Sequence, residues 1–254
     1  MLPSMYHQFK ELADLDITKE AMEVGPTTHY IMGGIRVDAD TQMSSIPGLF
    51  AAGECASGIN GANRLGGNSL SDLIVFGKRA GEYAAQWSRQ NGAARIDDAQ
   101  VERATREVLT PFEIGDDGEN PYKVQADLQD TMQNLVGIVR QENEMQEAVV
   151  RIGQLGERGS RVGVSGHREY HAGWHTAIDV RNLLTVSEAI ARSAIERKES
   201  RGGHFREDYP QKVDQYATFN IMVKQGSGGA MQVSRVPIPA MPDYLKEVIE
   251  EQKS

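Results

Sequence analysis

Between Ser57 and Gly67 the chain places four glycines and two asparagines, a density that excludes helix and strand and requires a loop. What flanks that loop sets the local fold. Before it, Pro47-Gly48 launches Leu49-Phe50-Ala51-Ala52, a short apolar run of the kind buried inside a parallel sheet, and Gly53-Glu54 closes it. After it the period changes to that of a helix: Leu70, Leu73, Ile74, Gly77, Ala80, Gly81, Ala84 and Trp87 share one face, with Asn68 or Ser69 placed to cap the first amides. Gly77 and Gly81 sit one turn apart on that face and predict close packing against a sheet.

The remaining segments follow the same logic. Leu2, Met5, Phe9 and Leu12 recur at helical spacing after Pro3, and the helix they predict ends near Asp16. Thr28 to Val37 reads as strand, kink and strand around Gly33-Gly34, with a polar turn over 38–45. Beyond Gly92 helical periodicity dominates. Asp97 or Asp98 caps a helix running to about Leu109, and Asn120-Pro121 opens another that points Val124, Leu128, Met132, Leu135 and Val139 inward. Met145, Val149, Ile152 and Leu155 continue the pattern, and a long final helix covers Ile178 to about Lys198. Residues 216–223 and 231–236 then read as two strands of a hairpin around Gln225-Gly226-Ser227-Gly228-Gly229. The expected fold class is α/β plus α: an incomplete α/β piece over 1–92, a helical bundle over 93–210, and a C-terminal β-hairpin and tail over 211–254. An unpaired sheet edge in the first part predicts association of the chain with itself.

Charge and composition narrow the class of ligand. With 27 Lys+Arg against 36 Asp+Glu the net charge is −9, and the basic residues are scattered, which argues against nucleic acid. No apolar stretch approaches the ~20 residues a membrane-spanning helix needs, and the amino end has no signal pattern; a cytoplasmic location is expected. Cys55 is the single cysteine, expected to be a small buried residue and not a nucleophile. His167, His171 and His175 recur every four residues, but Gly166 and Gly173 argue for a structured loop that starts the last long helix, so no metal site is expected. Trp87 and Trp174 are expected in the core or at a domain contact. Arg201, His204 and Arg206 can bind an anion, yet a hydrogen-bonded anchor at a helix end is the plainer role.

Three segments carry more polar information than packing requires: Thr28-His29-Tyr30, Gly53-Glu54 and Gly61 to Leu70. A carboxylate at the end of a buried strand accepts hydrogen bonds from ribose hydroxyls. A glycine loop lets backbone amides approach a ligand, and the helix start adds partial positive charge. His29 and Arg64 are the candidate positive donors: an arginine can fork onto a carboxylate with two parallel bonds, and a nearby histidine can donate to the same dianion. Each signal alone also suits a surface turn or a solvated side chain; their order and spacing make them specific.

His29-Tyr30-Ile31-Met32-Gly33-Gly34-Ile35, Pro47-Gly48-Leu49-Phe50-Ala51-Ala52-Gly53-Glu54 and the run from Asn60 to Leu70 resemble the flavoprotein subunit of succinate dehydrogenase and fumarate reductase. Ser200-Arg201-Gly202-Gly203-His204-Phe205-Arg206-Glu207-Asp208-Tyr209-Pro210 is similar to a motif of the same family, so the resemblance runs over nearly the whole chain. It implies FAD as cofactor and an oxidoreductase interconverting succinate and fumarate. It also implies an iron-sulfur subunit and a membrane quinone-reactive subunit as partners, with attachment to the cytoplasmic face of the membrane through them. By the same resemblance His29 and Arg64 bind the dicarboxylate, Glu54 holds the ribose of the adenosine, and Asn68, Ser69 and Leu70 lie against the flavin at a helix start.

The departures are as specific. The family begins with a Gly-x-Gly-x-x-Gly dinucleotide loop, and its capping domain supplies the proton-transfer arginine; neither motif is found here, so no catalytic acid is assigned in this chain. It is expected to be a carboxyl-terminal portion that binds FAD weakly and is inactive alone. Two rivals stand beside this: an L-aspartate oxidase-like flavoenzyme, against which Leu65-Gly66-Gly67 argues, and a non-catalytic interaction module.

Overall fold

The computed structural model describes residues 3–25 and 27–251. The chain divides into two units, residues 3–30 and residues 31–251. In the first, α1 (Pro3–Ala13) is an exposed helix, with Leu12 86% accessible. The predicted contribution of Leu2 lies outside the described residues. A turn follows in which Asp16 accepts from the Thr18 amide (3.1 Å) and hydroxyl (2.5 Å), so the helix ends where expected.

The second unit is organised by three long helices. Their apolar residues fall at helical spacing, so each buries one face and the three faces converge. α2 (Asn68–Asn91) and α3 (Asp98–Ile114) precede α4 (Pro121–Leu135), α5 (Glu142–Gly159) and α6 (Ala172–Glu196). Val124 and Leu128 from α4, Met145, Ala148, Ile152 and Leu155 from α5, and Ala177, Val180, Leu184, Ala191 and Ala194 from α6 form one closed core. Caps set its helix starts: Asp97 accepts from the Ala99 amide, and Asn120 from those of Tyr122 and Lys123. His171 opens α6, its Nδ1 accepting from the Trp174 amide at 3.0 Å while Nε2 donates to the Ser165 carbonyl. His167 and His171 thus lie in the loop that starts α6 and His175 in its first turn, and among the described residues no group of acids, histidines and cysteine is placed to hold a metal. Trp174 packs on this core and donates to the Val108 carbonyl at 2.6 Å, tying α3 to it.

The strands are few. β1 (Val139–Arg140) and β2 (Phe205–Arg206) form a short parallel pair. β3 (Phe219–Gln225) and β4 (Met231–Pro237) form the expected antiparallel hairpin, with Phe219 opposite Pro237 and Gln225 opposite Met231. α7 (Asp243–Glu251) follows, a helix where the sequence predicts only a tail. Val139, expected to point into the bundle, lies in β1 and is 53% accessible, because α4 stops at Leu135 and Val136 takes the last inward position.

Three expectations fail around α2. The described residues 31–67 hold no α/β sheet, only single bridges pairing Ile35 with Ala56, Val37 with Ser44 and Met43 with Phe50. Leu49–Ala52 meets one neighbour through Phe50 and the Ala51 amide, and a parallel sheet needs strands laid along both sides. The apolar face of α2 is bare: Leu70 is 66% accessible and Ile74 73%, and an added Cβ at Gly77 or Gly81 meets nothing within 4 Å. Neither Asn68 nor Ser69 caps α2; Gly67 does so in a left-handed conformation (φ 84°), with no side-chain cap. Cys55 is exposed, its Sγ donating to the Ala52 carbonyl, because it sits on a single helical turn at the surface.

Candidate functional site

The short turn Gly53–Cys55 carries Glu54. Gly53 adopts φ +73°, which carries the chain past α2 so closely that any Cβ would strike the Leu73 side chain. Glu54 is thereby left exposed, with Oε1 accepting from the Ile31 amide at 3.0 Å. Ile35 donates to Cys55 O (2.8 Å) and Ser57 to Ile35 O (2.9 Å), so residues 31–35 run alongside the carboxylate's own turn. The tail of the Met-Gly-Gly-Ile motif and the Gly-Glu motif, 20 residues apart in sequence, are one local structure.

The glycine loop leads from there into α2. Asn68 donates to Leu65 O and Leu70 to Gly67 O, each at 3.2 Å, winding the loop into the helix as a tight turn. Arg64 is half-buried, Asn68 is exposed, Ser69 is half-buried and Leu70 is exposed. The turn bearing Glu54 meets α2 where Gly53 faces Leu73, and Arg64, Asn68, Ser69 and Leu70 follow one another along the loop and into the first turn of that helix. His29 belongs to residues 3–30, exposed, its ring 6.4 Å from that of Tyr30.

Asp72, one turn into α2, is an acid that the helix buries. It is 4% accessible and is the one residue of α2 classed as buried, and among the described residues neither carboxylate oxygen has a hydrogen-bond partner. The signal was an acid one turn after the helix start, where a carboxylate meets the positive end of the helix; an apolar stripe through Leu70, Leu73 and Ile74 concealed it.

The back of the loop rests on a polar knot at the end of the bundle. Ala62 O accepts from the Gly203 amide at 2.9 Å, and Gly203 lies in a turn closed both ways, Arg201 N to His204 O (2.8 Å) and His204 N to Arg201 O (3.0 Å). Around the turn the charges are fully used. Arg206 is completely buried yet donates to Asp208, Glu142 and the Ala194 carbonyl. Such a buried guanidinium is tolerable only when every donor is matched. Burial pushes the Glu199 carboxyl up, but donors from Arg201, the Val213 amide and Arg197 outweigh it and hold the acid at about 2. Burial also drives His204 down to about 4, with the cations Arg140, Arg206 and Arg197 adding to it. The neutral ring donates from Nε2 to Arg197 O (3.0 Å) and accepts at Nδ1 from Arg140 (2.9 Å). Arg201, His204 and Arg206 are therefore anchors at the end of α6, the plainer of the two roles their sequence allows.

A family described as "Fumarate reductase flavoprotein C-term" matches residues 125–248, and one described as "FAD binding domain" matches residues 1–70. A fumarate reductase flavoprotein subunit of Haemophilus influenzae is 38% identical over 224 residues, covering 86% of this chain and 37% of that protein. One from Mycobacterium tuberculosis is 34% identical over 245 residues, covering 93% and 42%. The chain thus spans about two fifths of the length of the curated relatives it matches. Among solved structures, Mycobacterium smegmatis Sdh1 in complex with UQ1 superposes with a TM-score of 0.86 at 52% identity, over 97% of this chain and 42% of that one. The flavoprotein FrdA of Escherichia coli quinol fumarate reductase does so at 0.83 and 32%, over 95% and 42%. On these matches the chain belongs to the succinate dehydrogenase and fumarate reductase flavoprotein family, whose members are FAD-dependent oxidoreductases.

Proposed function

We propose that this chain supplies the dicarboxylate-binding wall and part of the FAD site of a flavoprotein subunit that interconverts succinate and fumarate. The observation that carries this is that the loop holding Arg64 winds directly into α2, the helix that the Glu54-bearing turn approaches at Leu73. Arg64 clamps a substrate carboxylate with two parallel bonds and so holds the four-carbon acid in one orientation, a positioning and electrostatic role. His29 is assigned the same ligand on its motif alone.

The residues present fit FAD in part. Glu54 leaves an exposed carboxylate with one oxygen committed to the Ile31 amide, which keeps it oriented for a ribose hydroxyl. The left-handed Gly67 opens α2 without a covering side chain; the Asn68 and Leu70 amides are spent on the turn itself, so Ser69 is the residue whose amide can face the ring edge, with Leu70 giving an apolar surface. FAD, when bound, supplies the hydride acceptor. No catalytic acid is assigned among these residues. The same family membership supports an iron-sulfur subunit and a membrane quinone-reactive subunit as partners, and a peripheral position on the cytoplasmic side of the membrane; no helix among the described residues is long and apolar enough to cross one.

Titration of the chain with succinate, followed by NMR shifts of the 58–70 amides, tests the proposal. Arg64→Ala should weaken binding by about tenfold or more, the loss of a bidentate charge-assisted pair. Arg64→Lys should recover little of it, because an ammonium cannot reproduce the planar fork. Binding of Arg64→Ala equal to that of the parent chain would overturn the proposal.

A further inference from the structure

The loop that carries Arg64 touches the helical bundle at one narrow place. Gly202 has φ +60°, a left-handed conformation, and a Cβ built on it would collide with the carbonyl and the side chain of Ala62. Its neighbour Gly203 donates to that same carbonyl, whereas a Cβ on Gly203 would be no closer than 3.8 Å to Ala62 O and 4.0 Å to Asn63. The two glycines therefore differ: the first makes the close approach, the second only needs its amide. Behind them the turn is fixed on two sides, by Arg140 and the Arg197 carbonyl on the His204 ring, and by the Glu199 carboxylate on Arg201 (2.8 and 3.0 Å). Glu199 has no accessible surface, and Arg197 and the Val213 amide hold it in turn.

We propose that the Arg201–His204 turn is a positioning element for Arg64: it pins Ala62 to the rigid end of α6 and so sets where the guanidinium two residues later stands. The physical case is entropic. A glycine loop left to itself samples many conformations, and ordering each of its residues costs conformational entropy. A ligand that has to order the loop loses that much affinity, while a loop already pinned does not. The fully satisfied polar knot is rigid because breaking any member leaves a buried charge exposed to an unmatched environment. Gly202 is then the contact through which the bundle controls the site, and its lack of a side chain is the requirement. For its ligand this rests on the dicarboxylate function proposed above; for the hold on the loop it does not.

The test is Gly202→Ala in the 254-residue chain, read by hydrogen exchange and by succinate titration. Exchange in peptides covering 58–67 should rise about tenfold or more while α5 peptides stay within about twofold, the pattern of local and not global opening. Succinate affinity should fall in parallel by about tenfold. Gly203→Ala should change neither. A rise of equal size in α5, or no rise in the loop, would overturn the proposal. If the parent chain shows no response to succinate while Gly202→Ala still frees the loop, the dicarboxylate function fails and the pinning role stands. Should Gly202→Ala not fold, His204→Ala approaches the turn from its other side. It removes both ring anchors, and loop exchange must again rise ahead of α5 for the proposal to survive.

Discussion

The α4–α6 bundle and the region around α2 are built from the same kind of sequence and end in opposite states. Both carry apolar residues at helical spacing, yet Val124, Met145 and Val180 have no accessible surface while Leu70, Leu73 and Ile74 are between 51% and 73% exposed. The difference is one of partners. Each bundle helix faces two others, whereas the inward contact of α2 in its unit is mainly the short turn Gly53–Cys55 and its buried residue is an acid, Asp72. Helical periodicity thus states which face is to be covered and carries no information on what covers it. The bundle holds its own stability; the site region is a surface whose geometry is borrowed from contacts such as the one at Gly202.

If that contrast is right, equal truncations in the two regions will have very unequal effects. Met145→Ala, at a fully buried position, should cost about 2–5 kcal/mol in urea unfolding, against less than about 0.5 kcal/mol for Ile74→Ala. Comparable losses at the two positions would break the comparison.

Acid should strike the bundle's polar knot before anything in the loop. His204 is held at about 4, so the unfolded chain takes up a proton near 6.5 that the folded chain refuses. Stability should therefore fall as pH drops from about 6.5 to 4, by on the order of 2 kcal/mol for a ring with some solvent access, and level off for that group below 4. Glu199, held at about 2, adds a second loss between about 4.5 and 2. Unfolding midpoints across pH 3 to 8 check the window, and stability that rose on acidification from 6.5 to 4 would contradict it.

The smallest effect on stability sharpens the comparison from the other side. Ile74→Glu places a charge on the bare face of α2 and should leave the unfolding free energy within about 0.5 kcal/mol. It should also lower self-association, measured by sedimentation, because an exposed apolar patch is a docking surface. A large destabilisation would mean that the face is buried after all.

How far the sequence could be read follows the same division. Helix starts were legible wherever a side chain caps them, as Asp97 and Asn120 do, because a cap is local chemistry. The start of α2 was misread: the cap there is the left-handed Gly67, and a backbone conformation leaves no polar side chain to recognise. Glu54, Arg64 and the Asn68 to Leu70 segment could be singled out because their residue types and spacing already express a chemistry. The approach of the Glu54 turn to α2 at Leu73, and the orientation of Glu54 by the Ile31 amide, could not.

The sequence by itself determined the helices α1 to α6, the hairpin, the glycine loop and the family, because these depend on residues close to one another along the chain; α7 was not among them. Tertiary structure alone decided that the α2 face stays bare, that Asp72 is buried, and that Gly202 meets Ala62 across 140 residues. Contacts between distant segments are selected by the packing of the whole unit, and no local pattern encodes which two surfaces will meet.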